Sequence, residues 1–167
     1  MAIKVKEGLI FCIPLNNGRY AFGKVLEGTW AFFDFVSNTR EIEIKNLSSK
    51  RFVFKLWVSK FALSKGIWEI IGNSPLTESE KQTQYFYKQD KINQKVWKTI
   101  TGAEEIPTTV EECQELELAA VYDPEHVVER LEYYFSEEPD PNLEFDRKSL
   151  IEKGVSTINK KDRHLQT

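Results

Sequence analysis

Residues 9–26 read LIFCIPLNNGRYAFGKVL. Leu9, Phe11, Ile13 and Leu15 alternate with their neighbours, so they share one face of a strand. Asn16-Asn17-Gly18 then forms a tight turn, because Asn and Gly tolerate positive φ. Residues 19–26 return as a second strand, with Tyr20 and Phe22 on one face and Ala21 and Gly23 on the other. Glycine inside a strand marks a place where something packs closely, and Pro14 marks a strand end or an edge. This hairpin predicts a β-rich fold from the start of the chain.

The pattern continues outward. Residues 30–36, WAFFDFV, read as a third strand that is apolar on both faces, as a strand inside a barrel or under a helix is. Ser37-Asn38-Thr39 makes another turn. Residues 41–45, EIEIK, alternate polar with apolar, which gives one wet face. Residues 52–58 (FVFKLWV) and 67–71 (IWEII) read as further strands, the latter ended by Gly72-Asn73-Ser74-Pro75. Residues 77–84 are polar, a loop or short helical turn. Residues 85–88 and 95–101 look like a last strand pair, and residues 108–115 like an acidic helical turn. Asp123-Pro124 opens a helix, since Asp accepts backbone N–H bonds at a helix start and Pro is favoured at the first helical position. Val127, Val128, Leu131, Tyr134 and Phe135 form its buried stripe, and Pro139 and Pro141 stop it. The expected fold is α+β and mostly β: a strongly bent antiparallel sheet or small SH3-like barrel, with a C-terminal helix near 124–135. One domain covers residues 1–135. Residues 136–167 form a polar extension whose last dozen residues are expected to be mobile.

The chain has 167 residues, enough to bury a core without disulfides or metals. Aromatics reach 13% and suit pleated, half-buried surfaces. No apolar run approaches the roughly 20 residues of a membrane span. The opening MAIKVKEG lacks a signal-peptide core, which predicts a cytoplasmic chain. Cys12 and Cys113 show no disulfide-framework or CxxC pattern and read as buried, idle thiols.

The net charge of −3 hides a segregation along the sequence. Residues 1–102 carry 16 Lys/Arg and 9 Asp/Glu, whereas residues 103–145 carry 1 and 14. Segregation of this kind steers a charged partner, unless the blocks intermix in the fold and the field averages out.

Chemical motifs are absent. His126 reads as a surface or cap histidine and His164 sits in the polar tail; neither accompanies a nucleophile motif. No HxH, HExxH, CxxC or EF-hand spacing suggests a metal, and the isolated glycines make no phosphate loop, so no cofactor is expected. Lys and Arg interleaved with aromatics, as in Lys50-Arg51-Phe52 and Lys95-Val96-Trp97-Lys98, support an alternative reading as a small nucleic-acid-binding barrel. A third reading is a small-molecule binder or hydrolase using a carboxylate in an aromatic pocket. The acidic segment supports binding of a basic protein through Glu125, Glu129 and Glu132, with Glu115, Glu117 and Asp123 beside them; such a patch raises association rate and specificity.

Residues 6–15, KEGLIFCIPL, and 18–26, GRYAFGKVL, resemble the opening of the immunity protein 26 family of bacterial toxin systems. Trp68-Glu69-Ile70-Ile71-Gly72 followed by Pro75-Leu76 is similar to that family's central stretch, and residues 124–131, PEHVVERL, to its closing helix. The resemblance implies a mostly β cytoplasmic protein that binds and neutralises a cognate toxin, such as a basic nuclease, with no catalysis, membrane or cofactor of its own. The motif residues themselves read as structural: Pro14, Gly18 and Gly23 set backbone geometry, and Phe11, Phe22, Trp68 and Leu131 belong to the core.

Overall fold

In the computed structural model, which describes residues 3–159, β1 (Leu9–Pro14) and β2 (Tyr20–Val25) form the expected hairpin. Gly18 supplies the turn with φ +82°. Phe11 pairs with Gly23. A Cβ on Gly23 would lie 2.6 Å from Phe11 Cε2 and 2.9 Å from the Ala31 carbonyl oxygen, so only glycine lets the ring lie flat there.

The chain divides into two compact units, each discontinuous: residues 1–82 with 120–138, and residues 83–119 with 139–167. The first unit adds β3 (Trp30–Ser37), a 3-10 turn (Ile44–Leu47), β4 (Phe52–Val58), α1 (Phe61–Ser64) and β5 (Glu69–Asn73). In the second lie β6 (Phe86–Gln89), β7 (Val96–Thr99), β8 (Ile106–Pro107), α2 (Val110–Cys113) and β9 (Glu117–Leu118). The chain then returns to the first unit for β10 (Val121–Tyr122) and α3 (Pro124–Phe135), and ends in the second with α4 (Pro141–Lys153).

The first unit is a six-stranded sheet in the order β10-β4-β3-β2-β1-β5, antiparallel except where β10 runs parallel to β4. Its end strands do not pair, so the sheet is open; of the two expected architectures, no closed barrel forms. Both faces are buried, as the WAFFDFV pattern predicts. One face carries Phe11, Ile13, Phe32, Leu56 and Trp68 against Val127 and Leu131 of α3. Phe11 and Trp68 stack at 5.4 Å between centroids, 11° from parallel. The other face carries Ile10, Cys12, Phe22 and Phe33 under Leu47, Ile42 and Ile44. Each such fully buried side chain contributes about 1.5–3 kcal/mol relative to exposure.

Four expectations need correction in this unit. The EIEIK alternation is not a strand; residues 41–43 lie outside any strand or helix and lead into the 3-10 turn, with Ile42 and Ile44 capping the second face. Alternation reports which side chains are buried and cannot distinguish a paired strand from an extended cover. The strand expected at 67–71 is β5, shifted to Glu69–Asn73, and α1 precedes it. Asp123 sits at the N-cap of α3 in extended conformation, but its side chain makes no capping bond. Its carbonyl oxygen accepts from His126 N at 3.1 Å and Val127 N at 3.2 Å instead. Finally, the buried stripe of α3 includes Arg130, 7% exposed. Its guanidinium lies 4.2 Å from the Phe54 ring centroid and donates to Tyr122 Oη at 3.0 Å. A delocalised, weakly hydrated cation over an aromatic face tolerates burial.

The second unit is a four-stranded sheet, β8-β7-β6-β9, whose β6–β7 pair is the one expected. Tyr87, Val96, Cys113 and Leu150 make its core. Leu150 belongs to α4, within the segment read as a polar extension. Pro141 does not stop a helix there; it starts one, with Asp140 Oδ1 accepting from Asn142 N at 2.9 Å. Residues 160–167, which include His164 and most of the dozen expected to be mobile, lie outside the described residues.

Candidate partner-binding surface

The charge blocks of the sequence intermix. The first unit holds 13 Lys/Arg and 14 Asp/Glu, net −1, and the second 10 and 12, net −2. Local fields remain. Within the first unit, residues 120–138 contribute a single cation, the buried Arg130, and six carboxylates.

The six expected contact residues are divided between the units. Glu125, Glu129 and Glu132 lie on α3, with Asp123 at its N-cap, and all four belong to the first unit. Glu115 and Glu117 belong to the second, Glu115 after α2 and Glu117 in β9. Asp123 and Glu125 are exposed, and Glu129 is half-buried. Glu132 is engaged internally: Oε1 accepts from Asn16 N at 2.5 Å and Oε2 from Asn16 Nδ2 at 3.4 Å. It ties α3 to the β1–β2 turn.

A buried ion pair was not legible as such in the sequence. Lys24, 4% exposed, donates to Ser74 Oγ at 2.8 Å and the Pro75 carbonyl at 3.2 Å, and its Nζ lies 3.0 Å from Glu80 Oε2. Burial alone would push the Glu80 carboxyl up; the Thr77 N–H and the Lys24 ammonium outweigh it and hold the carboxyl below its ordinary range. The available signal was parity: Lys24 shares a strand face with Tyr20 and Phe22, where an ammonium needs a partner.

At the β5 end of the sheet, an open groove of about 610 Å³ runs between β5 and residues 40–43. Ile42, Ile70 and Ile71 line it, with Arg40, Glu41, Glu43 and Glu69 around them. Arg40 Nη1 and Glu69 Oε2 pair across it at 3.5 Å, both side chains more than half exposed.

Both cysteines are buried and unpaired with each other. Burial pushes the Cys12 thiol up to about 11 and the Cys113 thiol up to about 12. Among the described residues, no cluster of three or more His, Cys, Asp or Glu could hold a metal ion, and no helix is long and apolar enough to cross a membrane. His126 is exposed in the first turn of α3.

Compared with known families, residues 6–98 match the model of immunity protein 26, more than half of the chain. The chain belongs to the immunity protein 26 family. No curated protein and no solved structure matches it. The match ends before α3, so the closing-helix resemblance lies beyond it. Within the match, Phe11, Phe22 and Trp68 are structural in this member of the immunity protein 26 family. Phe11 and Phe22 are fully buried and Trp68 is 2% exposed. Lys24 of the opening stretch is bonded to Ser74 and Pro75 of the central one. In this chain these stretches build a hairpin and the strand that flanks it, and Lys24 bonds the first to the last.

Proposed function

We propose that this protein is a cytoplasmic immunity protein of a bacterial polymorphic toxin system, which binds and neutralises a cognate toxin and makes or breaks no bond itself. The observation that carries the reading is the family match over residues 6–98. Inhibition by a folded surface needs a buried interface of about 1,600 Å² in total. Phe11, Phe22 and Trp68 are spent on the interior, so recognition falls to exposed residues, inside or outside the signature. The acidic side of α3 suits a basic toxin such as a nuclease: Glu125 is exposed and Glu129 half-exposed, next to Asp123. Glu132 holds Asn16 and is a weaker contact. Glu115 and Glu117 are proposed contacts of the second unit, taken by itself.

Co-expression tests the reading. Where the neighbouring gene encodes a toxin-type protein, its C-terminal domain should arrest growth alone and not when this chain is present. Glu125→Lys with Glu129→Lys should slow association about tenfold at low salt, with a smaller effect at high salt. Growth arrest that persists despite soluble, folded chain refutes the function; an unchanged on-rate removes α3 from the interface.

A further inference from the structure

We propose, resting on the immunity reading, that the free side of β5 receives an extended, basic segment of the toxin as an added strand. The sheet ends at β5, which pairs only with β1. No other segment among the described residues hydrogen-bonds to the backbone on its outer side. Such a row of N–H and C=O groups is a template for another strand. Edge strands are usually blunted by proline, lysine or a cover. β5 reads EIIGN, with neither residue; its pairing with β1 is bulged between Ile10 and Phe11, and, among the described residues, 40–43 stand across the groove from it.

The groove suits a strand in its chemistry. Ile42, Ile70 and Ile71 offer apolar surface for alternate side chains of the incoming segment. Around them stand three carboxylates, Glu41, Glu43 and Glu69, against the single guanidinium of Arg40; Lys45 reaches Glu43 from outside the groove at 3.0 Å. With Lys45 counted, the excess is one carboxylate, and it favours a segment bearing Lys or Arg. One cation of that segment would take over Glu69 from Arg40, whose exposed pairing is weak. Main-chain bonds would supply affinity, and the isoleucines and carboxylates specificity.

Hydrogen exchange on the full chain, with and without the toxin domain that the co-expression test identifies, tests this. Binding should protect amides in residues 69–73 and 41–43, and Glu41→Lys with Glu69→Lys should weaken affinity about tenfold while the fold is kept. Toxin binding that protects α3 and leaves 69–73 unchanged overturns the strand addition and leaves the immunity reading intact. Protection of 69–73 by raising this chain's own concentration, with a dimer's mass, assigns the edge to a second copy and also overturns it. A toxin that neither binds nor is neutralised overturns both.

Discussion

Replacing Lys24 with methionine removes the ammonium and keeps most of the apolar stem. Glu80 then keeps the Thr77 N–H at 3.1 Å but loses its cation. The Ser74 hydroxyl and Pro75 carbonyl lose their donor as well. Removing one member of a buried pair costs about 3–5 kcal/mol. The low end, about 3 kcal/mol, is expected, because Glu80 retains a backbone donor and sits on a loop that can turn towards water. Glu80→Gln should cost less, about 1–2 kcal/mol, since Lys24 keeps two neutral oxygen acceptors. The double variant Lys24→Met with Glu80→Leu should lie well short of the sum, because no stranded charge remains. Urea unfolding followed by tryptophan fluorescence reads this, as Trp30 and Trp68 sit in the same core. The pair also sets an acid limit. Glu80 has a folded value below its ordinary 4.5, so its contribution is complete above that pH and is lost as pH falls through the folded value. Lys24→Met should flatten that acid slope. A single variant within about 0.5 kcal/mol of wild type, the range of a neutral surface change, would refute the reasoning, as would strict additivity in the double.

Gly23→Ala puts a methyl group into the Phe11 ring and within 2.9 Å of the Ala31 carbonyl oxygen; overpacking of this kind should cost about 1–3 kcal/mol in thermal or urea unfolding. Cys12 and Cys113 should resist a thiol reagent at pH 8 in the folded protein and react fully once it unfolds, since burial holds both thiols neutral at about 11 and about 12. The sign for stability follows. Unfolded thiols ionise near 9 and folded ones do not, so stability should fall as pH rises from about 9 towards 11, and a Cys12→Ala, Cys113→Ala variant should lose that slope.

What the sequence disclosed depended on whether a signal was local. The β1–β2 hairpin, β4 and α3 could be read because a period of two or 3.6 and a turn or proline mark suffice to define each. The same Asp-Pro pair that opens α3 also opens α4, yet Asp140-Pro141 reads as a stop because it follows a helix so closely; proline ends one helix and begins the next with the same ring. The EIEIK run misled for a different reason: it is a lid, and lids alternate too. The charge blocks gave no field over a whole unit, because the chain crosses between the units and carries its acidic stretch with it. The candidate surface was half legible. The α3 carboxylates are visible as a spaced set, but that Glu132 is tethered to Asn16 depends on a contact across 116 positions. The β5 groove depends on which strand ends the sheet, which only long-range pairing decides.

The chain's order of travel has a practical meaning for anyone trimming it. Leu131 and Val127 close a hydrophobic layer whose other members are already in place by Trp68, and β10 docks on β4 more than 60 positions later. A fragment ending at residue 98 therefore exposes Phe11, Phe32 and Trp68 to water, and should precipitate or bind chaperones. A ribosome faces the same interval: the early sheet must wait, half covered, until the later helix emerges. No single cut yields both bodies whole, because each is assembled from two separated stretches of the chain.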